Sequence, residues 1–556
     1  MMHAIRSTAS TWGGGGGWLA SPAVAETSET VSTASTKVTW LPLVAMGLGI
    51  FVIANDVTAM SVALPAIERS FDTDVSTVQW VVNAYALIFG VLIVTGGRLA
   101  DMFGRRRMLF VGAAVFAAFS LLGGLAPNVG ALIACRALMG IGGALMWPAI
   151  LGLVYAILPS DKAGLAGGLV IGTAGLGNAA GPLLGGLLAG SVGWRWILLL
   201  NVPIAGLACL VTWLTVPASA GGARGRIDYA GIATISVGLV SLLIALDAGP
   251  DAGWTSPTVV GAFVLAVVLV GTFVVVERRA GDEALVPPAV MRNLGFTSAC
   301  LATLLMSSTF FAALLYLPQY FQKILGHSAL GAGAGLLPLM AVFAATSFLA
   351  GPLYNRLGAK MAVSAGALGM AVGPFLFTFL GASGGYAALV PGMIVMGVGV
   401  GLFYSSVTTA GVTALDESQS SLAGGILYMF QLAGGSVGLA LTTTVFLGAS
   451  NRALDHDAAS IGASFSTADR TAVRGVLAGT DSAAAIVARF PGAAGDKLVE
   501  VVRDAFSTGF RWAFRLDAIL ALVGFAVAVA FVGGRLRDRG DPDEVEPGCA
   551  PTAGGG

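Results

Sequence analysis

The sequence predicts an all-α integral membrane protein with fourteen membrane-spanning helices, laid out as two six-helix bundles with two helices inserted between them. Three observations predict it. Apolar residues far outnumber charged ones. They are gathered into long uncharged blocks. A short loop motif occurs twice, once in each half of the chain.

Of 556 residues, 56% are hydrophobic and 10% are charged. Soluble domains carry about 25% charged residues, and so few charges cannot cover this much apolar surface in water. Lipid can solvate it. Uncharged apolar runs of about 18 residues or more read as spanning helices. The formal net charge is zero, which leaves no basic surface for nucleic acid. Cys135, Cys209, Cys300 and Cys549 include no pair at metal or redox spacing, and His3, His327 and His456 form no cluster. No metal and no cofactor are therefore expected. Gly13 to Gly17 lacks the Lys-Ser/Thr that completes a phosphate loop. Without a nucleotide signature, any pumping must draw on an ion gradient or a partner ATPase.

Along the chain, residues 1–39 are rich in Ser, Thr, Gly and Ala and read as a disordered tail. Apolar blocks then follow at 41–63, 77–97, 108–126, 129–153, 164–189, 194–216, 230–248, 257–276, 296–321, 331–354, 361–381, 387–414, 422–446 and 512–534. Backbone groups in lipid must be satisfied within their own segment, so blocks of this length are helices. Alternate short loops hold Arg98, Arg105, Arg106, Arg107, Lys162, Arg224, Arg226, Arg278, Arg279, Arg292, Arg356 and Lys360. The opposite short loops hold Arg69, Arg195 and Lys323. Twelve basic residues against three is a positive-inside bias that puts both termini in the cytoplasm.

The long segment 447–511 then falls outside. It carries Leu498, Val501, Val502, Ala505 and Phe506 at helical spacing, which predicts an amphipathic helix lying on the membrane or on the protein. The predicted organisation is a tail at 1–39, a first bundle at 40–216, an inserted pair at 217–280, a second bundle at 281–534 that includes the loop 447–511, and a cytoplasmic tail at 535–556.

The repeated motif supports two halves. The loop after the second block runs Gly97-Arg98-Leu99-Ala100-Asp101-Met102-Phe103-Gly104-Arg105-Arg106. The loop after the tenth runs Gly351-Pro352-Leu353-Tyr354-Asn355-Arg356-Leu357-Gly358-Ala359-Lys360. Gly, Leu, Asp or Asn, Gly and a terminal base keep one register. Matching the second helix to the tenth gives six helices, two inserted and six more, and repeated halves with a site between them are the plan of secondary transporters.

The loop at 97–107 resembles the signature loop of the major facilitator superfamily. Arg136, followed by Gly140, resembles that superfamily's fourth-helix arginine motif. Gly168, Gly177, Gly181, Pro182, Gly185 and Gly186 match the fifth-helix motif of its antiporters. Asp56-Val57-Thr58 running into Val62-Ala63-Leu64-Pro65 is similar to the first-helix motif of its fourteen-helix drug:proton antiporters. Trp194-Arg195-Trp196 with Asn201-Val202-Pro203, and Leu246-Asp247 with Gly253-Trp254, are similar to further motifs of that branch. The resemblance covers residues 40–534. It implies that the fifth-helix strip joins the two halves in one state. It also implies that the loop with Gly97, Asp101, Gly104, Arg105 and Arg106 is a gate latch.

The residues also have direct physical readings. The fifth-block glycines, largely four apart, make a smooth strip that another helix can approach, which plain packing would explain as well. Asp101, just before the third helix, can cap free N–H groups there. Asn355 stands where the first loop has Asp101, so a charged latch belongs mainly to the first half. Asp56 and Arg136 are ionisable groups inside apolar blocks, which are functional candidates by default. They sit at one depth and can pair if their helices face one cavity. The alternative is an acid and a snorkelling base that reach water separately.

The ninth to thirteenth blocks contain no Asp or Glu, so a doubly charged cation would be poorly compensated there. They offer Phe310, Phe311, Tyr316, Gln319, Phe403, Tyr404, Tyr428 and Gln431, a lining suited to amphipathic or aromatic substrates, or simply packing. The expected protein is a monomeric, proton-coupled antiporter in a bacterial plasma membrane. It would export a small amphipathic compound, with Asp56 carrying the proton and Arg136 as its partner. Two readings compete: a dedicated exporter of one endogenous metabolite, lipid or siderophore, and a sensor or scaffold that keeps the fold without turnover.

Overall fold

The structure is a computed structural model that describes residues 40–73, 75–217, 228–281, 284–379, 385–458, 473 and 493–532. The expected tails at 1–39 and 535–556, the loop bases Arg224 and Arg226, and most of 459–492 lie outside the described residues. Among the described residues there is no strand, and thirteen helices are long and apolar enough to cross a membrane.

The first six spans are α1 (Trp40–Phe71), α2 (Val75–Phe103), α3 (Arg105–Gly124), α4 (Val129–Ile157), α5 (Ala163–Ser191) and α6 (Arg195–Thr215). The next two are α7 (Tyr229–Ala252) and α8 (Pro257–Ala280). After the short α9 (Pro288–Arg292) come α10 (Leu294–Lys323), the short α11 (Ala329–Gly335), α12 (Leu337–Phe377), α13 (Tyr386–Val412), α14 (Ser420–Ala458) and α15 (Ala493–Phe531). The α12 backbone leaves helical geometry at Gly358, with φ 81° and ψ 163°. Its two arms are separate spans, so thirteen helices carry fourteen spans. Gly104, the repeat counterpart of Gly358, separates α2 from α3 with φ 96°. A side chain is strained at that φ, so both copies of the loop use glycine for the same break.

Helices α1 to α6 pack together as one bundle, and α10 with α12 to α15 as the other. The two meet where α5 lies on α12 and α13, and where α2 and α4 lie on α14. The inserted α7 and α8 pack on each other, and α7 also touches α2 and α14. Trp254, between α7 and α8, donates its indole N–H to Thr444 of α14 at 3.1 Å. On α8, Val264, Val267, Val268 and Val275 are exposed, a valine face for lipid rather than for protein.

The segment 447–511 differs from its reading as an outer loop. Helix α14 runs on to Ala458, and α15 begins at Ala493. Leu498, Val501, Val502, Ala505 and Phe506 form no separate surface helix. They are the buried face of the first turns of α15, and Phe506 packs edge-on against Phe446 of α14 at 5.2 Å. Charges on the other face, such as Arg503 and Asp504, interrupt the apolar block although the helix continues.

Candidate proton and substrate sites

Asp56 and Arg136 meet inside the first bundle. Both are fully buried, and an Arg136 Nη1–H donates to Asp56 Oδ2. The arginine is held on its other sides. Its Nε donates to the Val81 carbonyl at 2.8 Å, and its guanidinium lies over the Tyr85 ring at 4.5 Å. The second carboxylate oxygen, Oδ1, accepts from Asn201 Nδ2 at 2.8 Å. Asn201 also donates to Ser120 Oγ at 3.1 Å, and that hydroxyl donates to the Leu198 carbonyl at 2.7 Å. One charge pair thus ties α1, α2, α3, α4 and α6 together. A buried ion pair holds only when its remaining hydrogen-bonding positions are filled. Here Arg136 Nη2 and the Tyr85 hydroxyl have no hydrogen-bond partner among the described residues. Asn201 entered the sequence reading only as part of a motif, and Ser120 not at all, because neutral polar residues do not stand out in an apolar block.

The fifth-helix strip has two faces. A side chain at Gly177 would approach the Phe51 carbonyl at 2.8 Å, and one at Gly181 would collide with Thr58 of α1. One at Gly185 would lie 2.8 Å from Ala59 Cα. These three glycines let α5 press on α1 within the same bundle, on either side of Asp56. The expectation that the whole strip joins the two halves is therefore corrected. Gly168 and Gly186 do face the other bundle, at the Ser347 carbonyl (2.6 Å) and Leu330 Cδ1 (3.0 Å). Pro182 faces it too, beside Gly333.

Asp101 also differs from its reading. The α3 N-cap is Gly104, with no side-chain cap. Asp101 reaches across to α14, where Oδ2 accepts from Leu422 N at 2.9 Å and Oδ1 from Ser421 N at 3.4 Å. It caps a helix of the opposite bundle, where the free N–H groups and the dipole favour an anion. Arg105 Nε donates to Asp101 at 3.2 Å and Nη1 to the Gly152 carbonyl at 3.1 Å, while Nη2 donates to the Glu417 carbonyl. Gly97 supplies the room, since a side chain there would meet the Ser421 carbonyl at 2.6 Å. Arg106 donates to the Trp213 carbonyl of its own bundle at 3.0 Å. The second loop also crosses, because Asn355 donates to the Asp161 carbonyl at 2.8 Å. This end of the seam is closed.

The aromatic and amide candidates divide into three places. Tyr404, Tyr428 and Gln431 line a space of about 10 Å³ between the bundles, with Trp147, Ile171, Thr303 and Thr408. Its lining carries no charged side chain. Tyr316 and Gln319 line a different cavity, of about 200 Å³, within the second bundle at the far end from the latch. Phe310 and Phe403 line neither; Phe310 packs on Phe343 and Tyr404, and Phe403 on Tyr404. They are core residues, which corrects their placement in a substrate lining.

One carboxyl escaped the sequence reading. Asp517 of α15 is fully buried in the second bundle, where Oδ1 accepts from Ser308 Oγ (2.7 Å) and Thr442 Oγ1 (3.0 Å). The signal was present in the repeat. Gly193-Trp194-Arg195-Trp196 leads to Leu200-Asn201, and Gly509-Phe510-Arg511-Trp512 leads to Leu516-Asp517 at the same spacing. Exposure follows the same register: Trp196 and Trp512 are exposed at 52% and 49%, while Asn201 and Asp517 are buried.

Two bundles of spanning helices that meet at a seam, with an ion pair shut inside one of them, define the class: a multi-pass membrane transporter. The profile of the Major Facilitator Superfamily matches residues 46–439, and the chain belongs to that family. It is a transporter, not an enzyme. The tetracenomycin C resistance and export protein of Streptomyces glaucescens is 31% identical over 538 residues, 93% of this chain and 96% of that one. Multidrug resistance protein Stp of Mycobacterium tuberculosis is 34% identical over 409 residues, 73% of this chain and 75% of the relative. The human organic anion transporter MFSD10 has a TM-score of 0.57 over 88% of this chain and 99% of its own, at 14% identity, a likeness of fold alone.

Proposed function

We propose that this protein is a proton-coupled antiporter that exports amphipathic drugs or antibiotics across a bacterial plasma membrane, with both termini in the cytoplasm. The observation that carries the proposal is the sealed pair of Asp56 and Arg136. A proton arriving on Asp56 discharges it and breaks the pair. Arg136 keeps the Val81 carbonyl and the Tyr85 ring, so α4 stays with α2 while α1 is released from it. Helix α1 lies on the glycine face of α5, and α5 lies on α12, so a shift of α1 reaches the seam between the bundles. Such a step biases two packed arrangements rather than bending one continuously.

The lining of the seam supports the substrate class. Its aromatic, hydroxyl and amide lining without charge suits a flat, amphipathic molecule. A space of about 10 Å³ holds no such molecule, so the bundles must part to admit one. Relatives named for resistance to tetracenomycin C and to several drugs support the same class. A second reading, export of one compound made by the host cell, draws on the first of those names. The test is a compound screen in proteoliposomes of purified protein with an imposed pH gradient. Uphill movement of several unrelated aromatic compounds is expected. Movement of one compound alone supports the second reading, and none under any gradient contradicts both.

A further inference from the structure

Asp517 sits where the repeat places Asn201, the residue that holds Asp56 in the first bundle. The two bundles exchange roles at this point. The first puts its acid on α1 and the neutral partner on α6. The second puts its acid on α15 and the neutral partner, Ser308, on α10. The exchange leaves one element without a counterpart, because among the described residues no arginine pairs with Asp517. Hydroxyls reach it from α10 (Ser308) and α14 (Thr442), and Thr309 Oγ1 donates to its backbone carbonyl at 3.3 Å. Helix α12 brings an apolar ring, Phe377, against Phe514 one turn away. The Tyr316 phenol, also on α10, is taken up by Thr443 of α14. Oδ2 has no partner at all among the described residues. A buried carboxylate with neither cation nor a full set of donors is too costly to keep, so in this conformation Asp517 holds its proton.

A cavity also lies in the same bundle, lined in part by the residue next to Thr442. The cavity of about 200 Å³ at the end away from the latch is walled by Tyr316, Gln319, Lys323, Thr443 and Phe506. The Tyr316 hydroxyl donates to Thr443 Oγ1 at 2.9 Å, and Thr442, the next residue back along the chain, holds the carboxyl. Adjacent residues of α14 thus touch the cavity wall and the carboxyl. Lys323 lies on the same wall, two turns of α10 or about 10 Å beyond Tyr316. It is too far along the helix to pair with the acid.

We propose that Asp517 is a second proton-carrying residue, filled from this cavity and emptied on the opposite side when the bundles rearrange, so that two protons enter for each substrate exported. This rests on the antiport reading above. The balance is simple: one proton rides on Asp56, whose discharge switches the bundles, and one on Asp517, which moves only in a cycle that Asp56 completes, and both are released inside.

The test is the null point of purified, reconstituted protein with the membrane potential clamped at zero and a neutral aromatic substrate. A tenfold substrate gradient is balanced by about one pH unit if one proton moves and about half a unit if two do, because a pH unit and a tenfold concentration ratio are equal free energies. The wild type is expected at the half unit and Asp517→Asn at the full unit. Asparagine keeps the shape and an acceptor for Ser308 and Thr442, so a merely structural carboxyl would leave the null point unmoved. An unmoved null point, or a wild type already at one unit, overturns the proposal, and the wild-type value decides even if the variant fails to fold. A wild type in which no pH gradient opposes the substrate gradient sinks the antiport reading itself. A normal null point in Asp56→Asn, with the shift in Asp517→Asn, removes Asp56 from the reading and leaves Asp517 in it.

Discussion

The first bundle sets its buried acid against a cation, and the second surrounds its acid with hydroxyls. Asp56 has a guanidinium, an amide and no contact with water. Asp517, at the matching depth of the other half, has two hydroxyls and a bare oxygen. Low-dielectric surroundings permit either solution: a charge with its counter-charge, or no charge at all. The difference teaches where the switching strain sits. Protonation of Asp56 breaks a tie among five helices, whereas loss of the proton from Asp517 creates a charge with nothing to answer it.

Removing a partner separates the two solutions most sharply. Arg136→Ala strands the Asp56 charge, and breaking a buried pair costs about 3–5 kcal/mol. Asp517→Asn keeps both accepted hydrogen bonds and should cost about 1 kcal/mol or less. Unfolding of the two variants in detergent should show that order. Equal losses would mean that Asp517 is ionised and has a partner like Arg136.

Gly181→Leu should come next. A side chain there collides with Thr58 beside Asp56, and overpacking costs about 1–3 kcal/mol. The protein should insert but lose transport, measured as uptake per molecule in vesicles. Full activity would show that α1 and α5 need no close approach.

The smallest expected effects are at the latch, where the two halves again differ. Asp101→Ala removes a charged cap of α14, about 1 kcal/mol, and should open that end of the seam roughly fivefold more often. Asn355→Ala removes one neutral bond to the Asp161 carbonyl and should do less. Spin-label distances across the seam would rank them. The reverse order would place the main latch in the second loop.

The fold was largely legible because lipid makes apolar blocks long and loops charged. Asp56 and Arg136 were legible for the same reason, since a charge inside such a block is conspicuous. What crossed between bundles was not. Asp101 finds its partner 320 residues away at Ser421, and no local pattern encodes that. The glycine spacing gave the strip on α5 but not its two neighbours, because a face has a period and a partner does not. Asp517 was masked by Arg511 and Arg515 beside it, which make the block's edge look like an ordinary charged boundary. Only the match to the Asn201 segment exposes it.

The central claim is that Asp56 alternates between charged and discharged states during transport. It is tested most directly by pH-driven substrate uptake into inverted vesicles, normalised to protein, for the wild type, Asp56→Glu and Asp56→Asn. Glutamate titrates in nearly the same range as aspartate. The account predicts partial uptake for Asp56→Glu and none above protein-free vesicles for Asp56→Asn, with downhill exchange by Asp56→Asn retained. Wild-type pH-driven uptake by Asp56→Asn, or equal behaviour of the two variants, would contradict it.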